Sequence, residues 1–236
     1  MVLKGKRLEA ERRATLSKRQ NIAFTLLKAY KLERPATDII PGPADVCEMH
    51  EFKTIIEDAP YGVQVTEETF RRAMARLPQL INEWRSAKDA ELVHIMNDSV
   101  ESEHSQSNGS DGENNRKQLE LATSLFQCKI CCGAIPYPQI LIHACTHDLR
   151  YTWRHSDDPR CALWCNLLDE PWNIGGEKIG IDNQAKPAGR LIVETCGLDP
   201  DTATAQEMDD LDPRLECVKC YSEMSGRLIM GWKMAV

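Results

Sequence analysis

Apolar side chains recur at helical spacing in two long stretches of the chain. Over residues 7–33, Ile22, Leu26, Leu27 and Tyr30 fall on one face at i, i+4, i+5 and i+8, opposite a basic face, and Pro35 ends the pattern. Residues 1–34 therefore read as a basic amphipathic helix. Pro35, Pro41, Pro43, Pro60 and Gly62 then leave room only for a short helical turn between Met49 and Ile56. Thr66 has the character of an N-cap, with Glu67 and Glu68 suited to the positive end of a helix dipole. Behind it Phe70, Met74, Leu77, Ile81, Trp84 and Leu92 form an apolar stripe, so residues 35–96 are predicted to be a helical region containing a helix over 66–96 that Pro78 kinks or restarts. Residues 97–119 are rich in Ser, Asn, Asp, Glu and Gly. They offer too little apolar surface to offset ordering and read as a disordered acidic linker.

After residue 120 the pattern shortens. Phe126, Tyr137, Ile140, Ile142, Leu191 and Val193 predict short strands broken by prolines and glycines. Thr204 and Glu207 have capping-box spacing and open a short helix through Met208 and Leu211. Leu228, Met230 and Trp232 alternate as a closing strand.

Composition narrows the class. Hydrophobic residues make up 42% of the 236 positions but aromatics only 6%, which predicts a modest core beside a large solvated surface. No run of eighteen apolar residues occurs, so no membrane span is expected, and the charged start Met1 to Arg7 has no secretory h-region. Ten cysteines without such a signal are expected to be thiols in a reducing compartment, placing the protein inside the cell, in cytoplasm or nucleus. Residues 1–34 carry ten Lys/Arg against three Asp/Glu, whereas residues 128–236 carry eleven against sixteen. An acidic cysteine-rich half is ill suited to phosphate, so nucleic-acid binding is not expected of it.

Two Cys-x-x-Cys pairs, Cys128/Cys131 and Cys217/Cys220, carry the clearest chemistry. Two intervening residues let both thiolates turn toward one ion, and two such knuckles complete a tetrahedral site that suits structural Zn2+. The 85 residues between the knuckles exceed the usual spacing, so the pair would clamp the ends of a subdomain, and Lys129 and Lys219 would offset surplus thiolate charge. His143, Cys145 and His147 would share a face if extended, and Cys161 and Cys165 lie one helical turn apart. These form a second site, or His143 replaces one of the four thiolates. Cys47, Cys132 and Cys196 read as core residues. The predicted fold is α+β, a helical N-terminal region plus a small zinc-clamped region of short strands and helices over 120–236.

Catalytic signatures are sparse. Neither His-x-Glu with Pro-Cys-x-x-Cys, nor a phosphate-cradling Gly-x-x-x-x-Gly-Lys loop, nor His-Glu-x-x-His, nor Gly-x-Ser-x-Gly is present. The run Val193-Glu194-Thr195-Cys196-Gly197-Leu198-Asp199-Pro200 and the stretch Met208 to Cys217 resemble the C-terminal region of mushroom-type (basidiomycete) fungal proteins labelled F-box or hypothetical. So do Gly226 to Trp232, Phe126 to Cys131, Tyr137 to Cys145, and Pro43 to Cys47. Such proteins often carry an F-box, a helical module that hands a protein to a ubiquitin ligase, but none is found in this chain. The related chains run on past the equivalent of Trp232, so a fragment is expected here. The leading expectation is a non-catalytic zinc-stabilised protein-interaction module, a substrate-recognition or scaffold part with a protein partner. The alternatives are a zinc-dependent nucleic-acid binder using the basic N-terminal helix, or an enzyme with a Cys/His site around His143 and Cys145.

Overall fold

In the computed structural model, residues 2–101, 112–152, 161–222 and 226–236 are described. Among the described residues helices predominate over strands, and the sheets are small and antiparallel, so the fold is α+β. The chain divides into two units, Met1–Ser86 with Ile142–Gly175, and Ala87–Leu141 with Gly176–Val236.

The first unit is helical. Helix α1 (Val2–Leu32) buries Ala23 and Leu27, with Ile22, Leu26 and Tyr30 packed at the margin of the core. Next come the short helices α2 (Pro43–Glu48) and α3 (His50–Lys53), the latter running into one π-helical turn, Thr54–Asp58. A π turn displaces carbonyls from the ordinary helical ladder. Arg19 of α1, 4% exposed, donates to the carbonyls of Ile56, Ala59 and Pro60 at 2.9, 3.0 and 3.1 Å. Helix α4 (Glu67–Glu101) begins directly after Thr66, and Phe70 and Leu77 of its stripe are fully buried. Phe70 stacks on Phe52 of α3 with ring centroids 5.9 Å apart. Helices α6 (Leu149–Thr152) and α7 (Cys161–Leu167) complete this unit, contributing Leu149, Trp164 and Leu167 to the core.

The second unit holds both sheets. Strand β1 (Leu125–Cys128) lies between β2 (Ala134–Pro136) and β3 (Ile179–Ile181), in register Phe126 with Ile135 on one side and with Ile181 on the other. Being central, β1 buries Leu125, Phe126 and Cys128 alike. The Asp182 carboxylate accepts from the N–H groups of Gln184 and Ala185 at 3.1 and 2.8 Å and leads the chain into α8 (Lys186–Thr195). Gly189 lets α8 come close to the sheet, since a Cβ there would stand 3.0 Å from Leu125 Cδ1. Helix α9 (Ala205–Leu211), the hairpin of β4 (Arg214–Ser222) with β5 (Gly226–Gly231), and α10 (Trp232–Ala235) end the chain. Val193, Met208 and Trp232 form a small core among them, and Asp209 accepts from Trp232 Nε1 at 2.9 Å.

Several expectations change. Of the two roles weighed for Pro78, a restart does not occur, since it lies inside one continuous helix. Much of the stretch expected to be a disordered linker is helical: α4 runs to Glu101, and α5 (Gly112–Glu120) buries Leu119, while residues 102–111 lie outside those described. The His94–Asp98 pair at 3.0 Å is an i,i+4 support that composition alone conceals. Leu191 and Val193 are helical rather than extended, because Pro187 starts a helix and the buried Gly189 and Val193 repeat at i, i+4. Ile140 and Ile142 lie in a 3-10 turn, Gln139–Ile142, and Trp232 opens α10 instead of ending a strand. The Thr204/Glu207 capping box forms as expected.

Replacing Arg19 by Met keeps the apolar stem but unpairs the three carbonyls. Since one hydrogen bond to a charged group is worth about 1.5–3 kcal/mol, a loss of about 2–4 kcal/mol is expected, read as a lower urea midpoint by circular dichroism.

Candidate metal centre

The stretch from Cys128 to Cys145 brings four donors together. One ligand atom each from Cys128, Cys131, His143 and Cys145 lies within 4.8 Å of every other, a group that can hold a metal ion. A tetrahedral ion with bonds of about 2.3 Å to sulfur needs donors about 3.8 Å apart, which a group within 4.8 Å reaches by small side-chain movements.

The local backbone explains the convergence. Cys128 ends β1, and the hairpin turn that follows is fastened by Cys132 N–H to Cys128 O at 2.8 Å and by Cys128 N–H to Gly133 O at 3.0 Å. Cys132 takes up the left-handed kink of this turn with φ 58°, which lets Cys131 fold back toward Cys128. Lys129 N–H donates to Lys178 O at 2.9 Å, tying the turn to the segment before β3. His143 is the extended residue that caps a second 3-10 turn, Ala144–His147, and its carbonyl accepts from the Thr146 hydroxyl at 2.6 Å. Cys128 is buried, His143 and Cys145 are half-buried, and Cys131 is exposed. Burial lowers the His143 pKa, with nearby His147 adding to the effect, and the resulting neutral imidazole is the form that ligates a metal.

The first knuckle expected from sequence is thus part of the group. Its partners among the described residues are His143 and Cys145, weighed as a second site or as a replacement. Cys217 lies on β4 opposite Leu228, and the Cys220 side chain lies outside the described residues. The legible signal was spacing: eleven residues separate Cys131 from His143, close to that of compact zinc modules, against 85 to Cys217. Cys161 and Cys165 pack against the core of the first unit, Cys196 against that of the second. Cys47 is buried, and desolvation pushes its thiol up to about 12, which makes it inert packing.

His147 takes a different course. In a 3-10 turn it no longer shares a face with His143 and Cys145, and its ring faces Asp45 Oδ2 at 3.4 Å, Asp169 Oδ1 at 4.0 Å and the Glu170 carbonyl at 3.3 Å. Asp169 accepts from Ala44 N–H at 2.9 Å. Gly42 is required here, since a Cβ would stand 2.6 Å from Asp169 Oδ2 and 2.9 Å from His147 Nδ1. Desolvation raises the Asp169 carboxyl to about 6, against the opposing Ala44 hydrogen bond and His147.

No family model, curated protein or solved structure matches this chain. Among the described residues no helix is long and apolar enough to cross a membrane.

Two outcomes are expected. Cys145→Ser lowers metal retained per chain by elemental analysis, whereas Cys217→Ser leaves it unchanged. The second concerns pH. The folded chain holds the Asp169 proton more tightly than the unfolded chain, so this group's contribution is full at acid pH and is lost as pH rises from 3.8 toward about 6. The stability difference between wild type and Asp169→Asn, measured by urea unfolding, should shift against the wild type across that window and stay flat above it.

Proposed function

We propose that the chain is a non-catalytic protein-interaction module held together by structural zinc at Cys128, Cys131, His143 and Cys145. The observation that carries this reading is the three-thiol, one-imidazole donor set with all four atoms within 4.8 Å. Such a set suits zinc, which is borderline-soft and content with four nitrogen and sulfur ligands. With four protein donors the ion has no open position for a substrate, so its contribution is to folding. The same arrangement weakens the enzyme reading, because His143 and Cys145 are engaged as ligands and are not free as base and nucleophile.

A protein partner is supported by the hairpin of the second unit. It is a two-stranded ribbon, which leaves each strand an outer edge, and Leu228 and Ile229 on β5 are 51% and 65% exposed. Strand addition at such an edge is a common mode of peptide recognition. The resemblance to fungal F-box-type proteins suggests that this recognition serves substrate selection or scaffolding.

Elemental analysis of purified protein is expected to find one zinc per chain. Chelation should lower the melting temperature and zinc, but not magnesium, should restore it. Protein without metal, melting identically before and after chelation, would overturn the reading.

A further inference from the structure

A cleft of about 640 Å³ opens in the first unit, and none of the four donor residues is part of its lining. Its walls are largely apolar, with Ile40, Ile142, Leu149 and Leu168 prominent, and it falls within the range of small-molecule sites. Two opposite charges, Lys31 at the end of α1 and Asp169 after α7, share this lining without pairing: Lys31 makes no ion pair among the described residues. The Asp148 carboxylate also lines the cleft but is taken by Arg150, which holds it through three hydrogen bonds of 2.6–3.0 Å.

Asp169 is only partly satisfied. Its Oδ2 is fixed by Ala44 N–H, whereas Oδ1 has His147 Nδ1 at 4.0 Å, beyond hydrogen-bond reach. The rim adds a second feature suited to binding. Leu168, next to Asp169, has φ 52°, a left-handed conformation unusual for leucine, and leaves its side chain 85% exposed; Ile142 across the lining is 41% exposed. A strained residue presenting an apolar side chain beside a half-satisfied carboxylate is a combination common at binding sites and costly elsewhere.

We infer that this cleft binds a small zwitterion with an apolar body, of the chemistry of an apolar α-amino acid, its ammonium on Asp169 and its carboxylate on Lys31. Its apolar part covers Leu168 and Ile142. Desolvation without a bound counter-ion lowers the Lys31 pKa and raises that of Asp169, and a zwitterion relieves both. The inference stands apart from the zinc reading, since the cleft residues it uses are not the metal donors.

Calorimetric titration with L-phenylalanine, L-phenylalaninamide and 3-phenylpropionate tests it, because the analogues lack the carboxylate and the ammonium respectively. L-Phenylalanine should bind at least about tenfold more tightly than either, since each analogue forfeits one ion pair. Lys31→Met, an exposed change that spares the core, should abolish the preference over the amide, and Asp169→Asn the preference over 3-phenylpropionate. The dipeptide Leu-Phe carries the same charges further apart, and a preference for it or for the amino acid names the source. Equal binding of the three probes, no saturable binding by L-phenylalanine or Leu-Phe, or a preference untouched by Lys31→Met would overturn the assignment.

Discussion

The buried carboxylate of Asp45 sets the terms for the first unit. At 6% exposure it accepts from Trp84 Nε1 at 3.0 Å and from the Trp172 N–H at 3.2 Å, and it faces His147. A charge taken out of water costs several kcal/mol unless donors replace its hydration, so those donors must arrive together. They come from α4, from the segment after α7 and from the 3-10 turn at Ala144–His147, which makes their mutual placement a condition of burying α2. The short helix α2 repeats the device at Glu48, which accepts from Trp164 Nε1 at 3.4 Å. Two indoles are thereby aimed by two carboxylates three residues apart.

This explains where pattern reading succeeded and where it did not. Helix α4 was legible because its apolar face repeats over many turns, α1 from the shorter face at Ile22 to Tyr30, and the Thr204/Glu207 cap because two residues specify it locally. α2 was not, since six residues cannot show a period and its buried Asp45 looks like a surface residue until its donors are in place. α8 was misjudged for the opposite reason: the run Leu191-Ile192-Val193 has strand character, and the start at Pro187 and the close approach at Gly189 override it.

At the site, half of the donor group was named from motif spacing. Cys128 and Cys131 announce themselves as a turn, whereas His143 and Cys145 acquire their geometry from a 3-10 turn that an extended reading of the segment does not contain. Two identical motifs invite pairing with each other. Among the described residues, proximity follows the path of the backbone: the donors grouped with the first motif are separated from Cys131 by eleven and thirteen residues.

That path has a consequence in time. All four donors have been synthesised once residue 145 is added, with at least 91 residues still to come, so at translation rates of about 5–20 residues per second an interval of at least about five seconds follows. If the group takes up a metal as proposed, supply during that interval, and not only in the finished protein, would govern which chains emerge with the Cys128–Cys145 stretch already ordered.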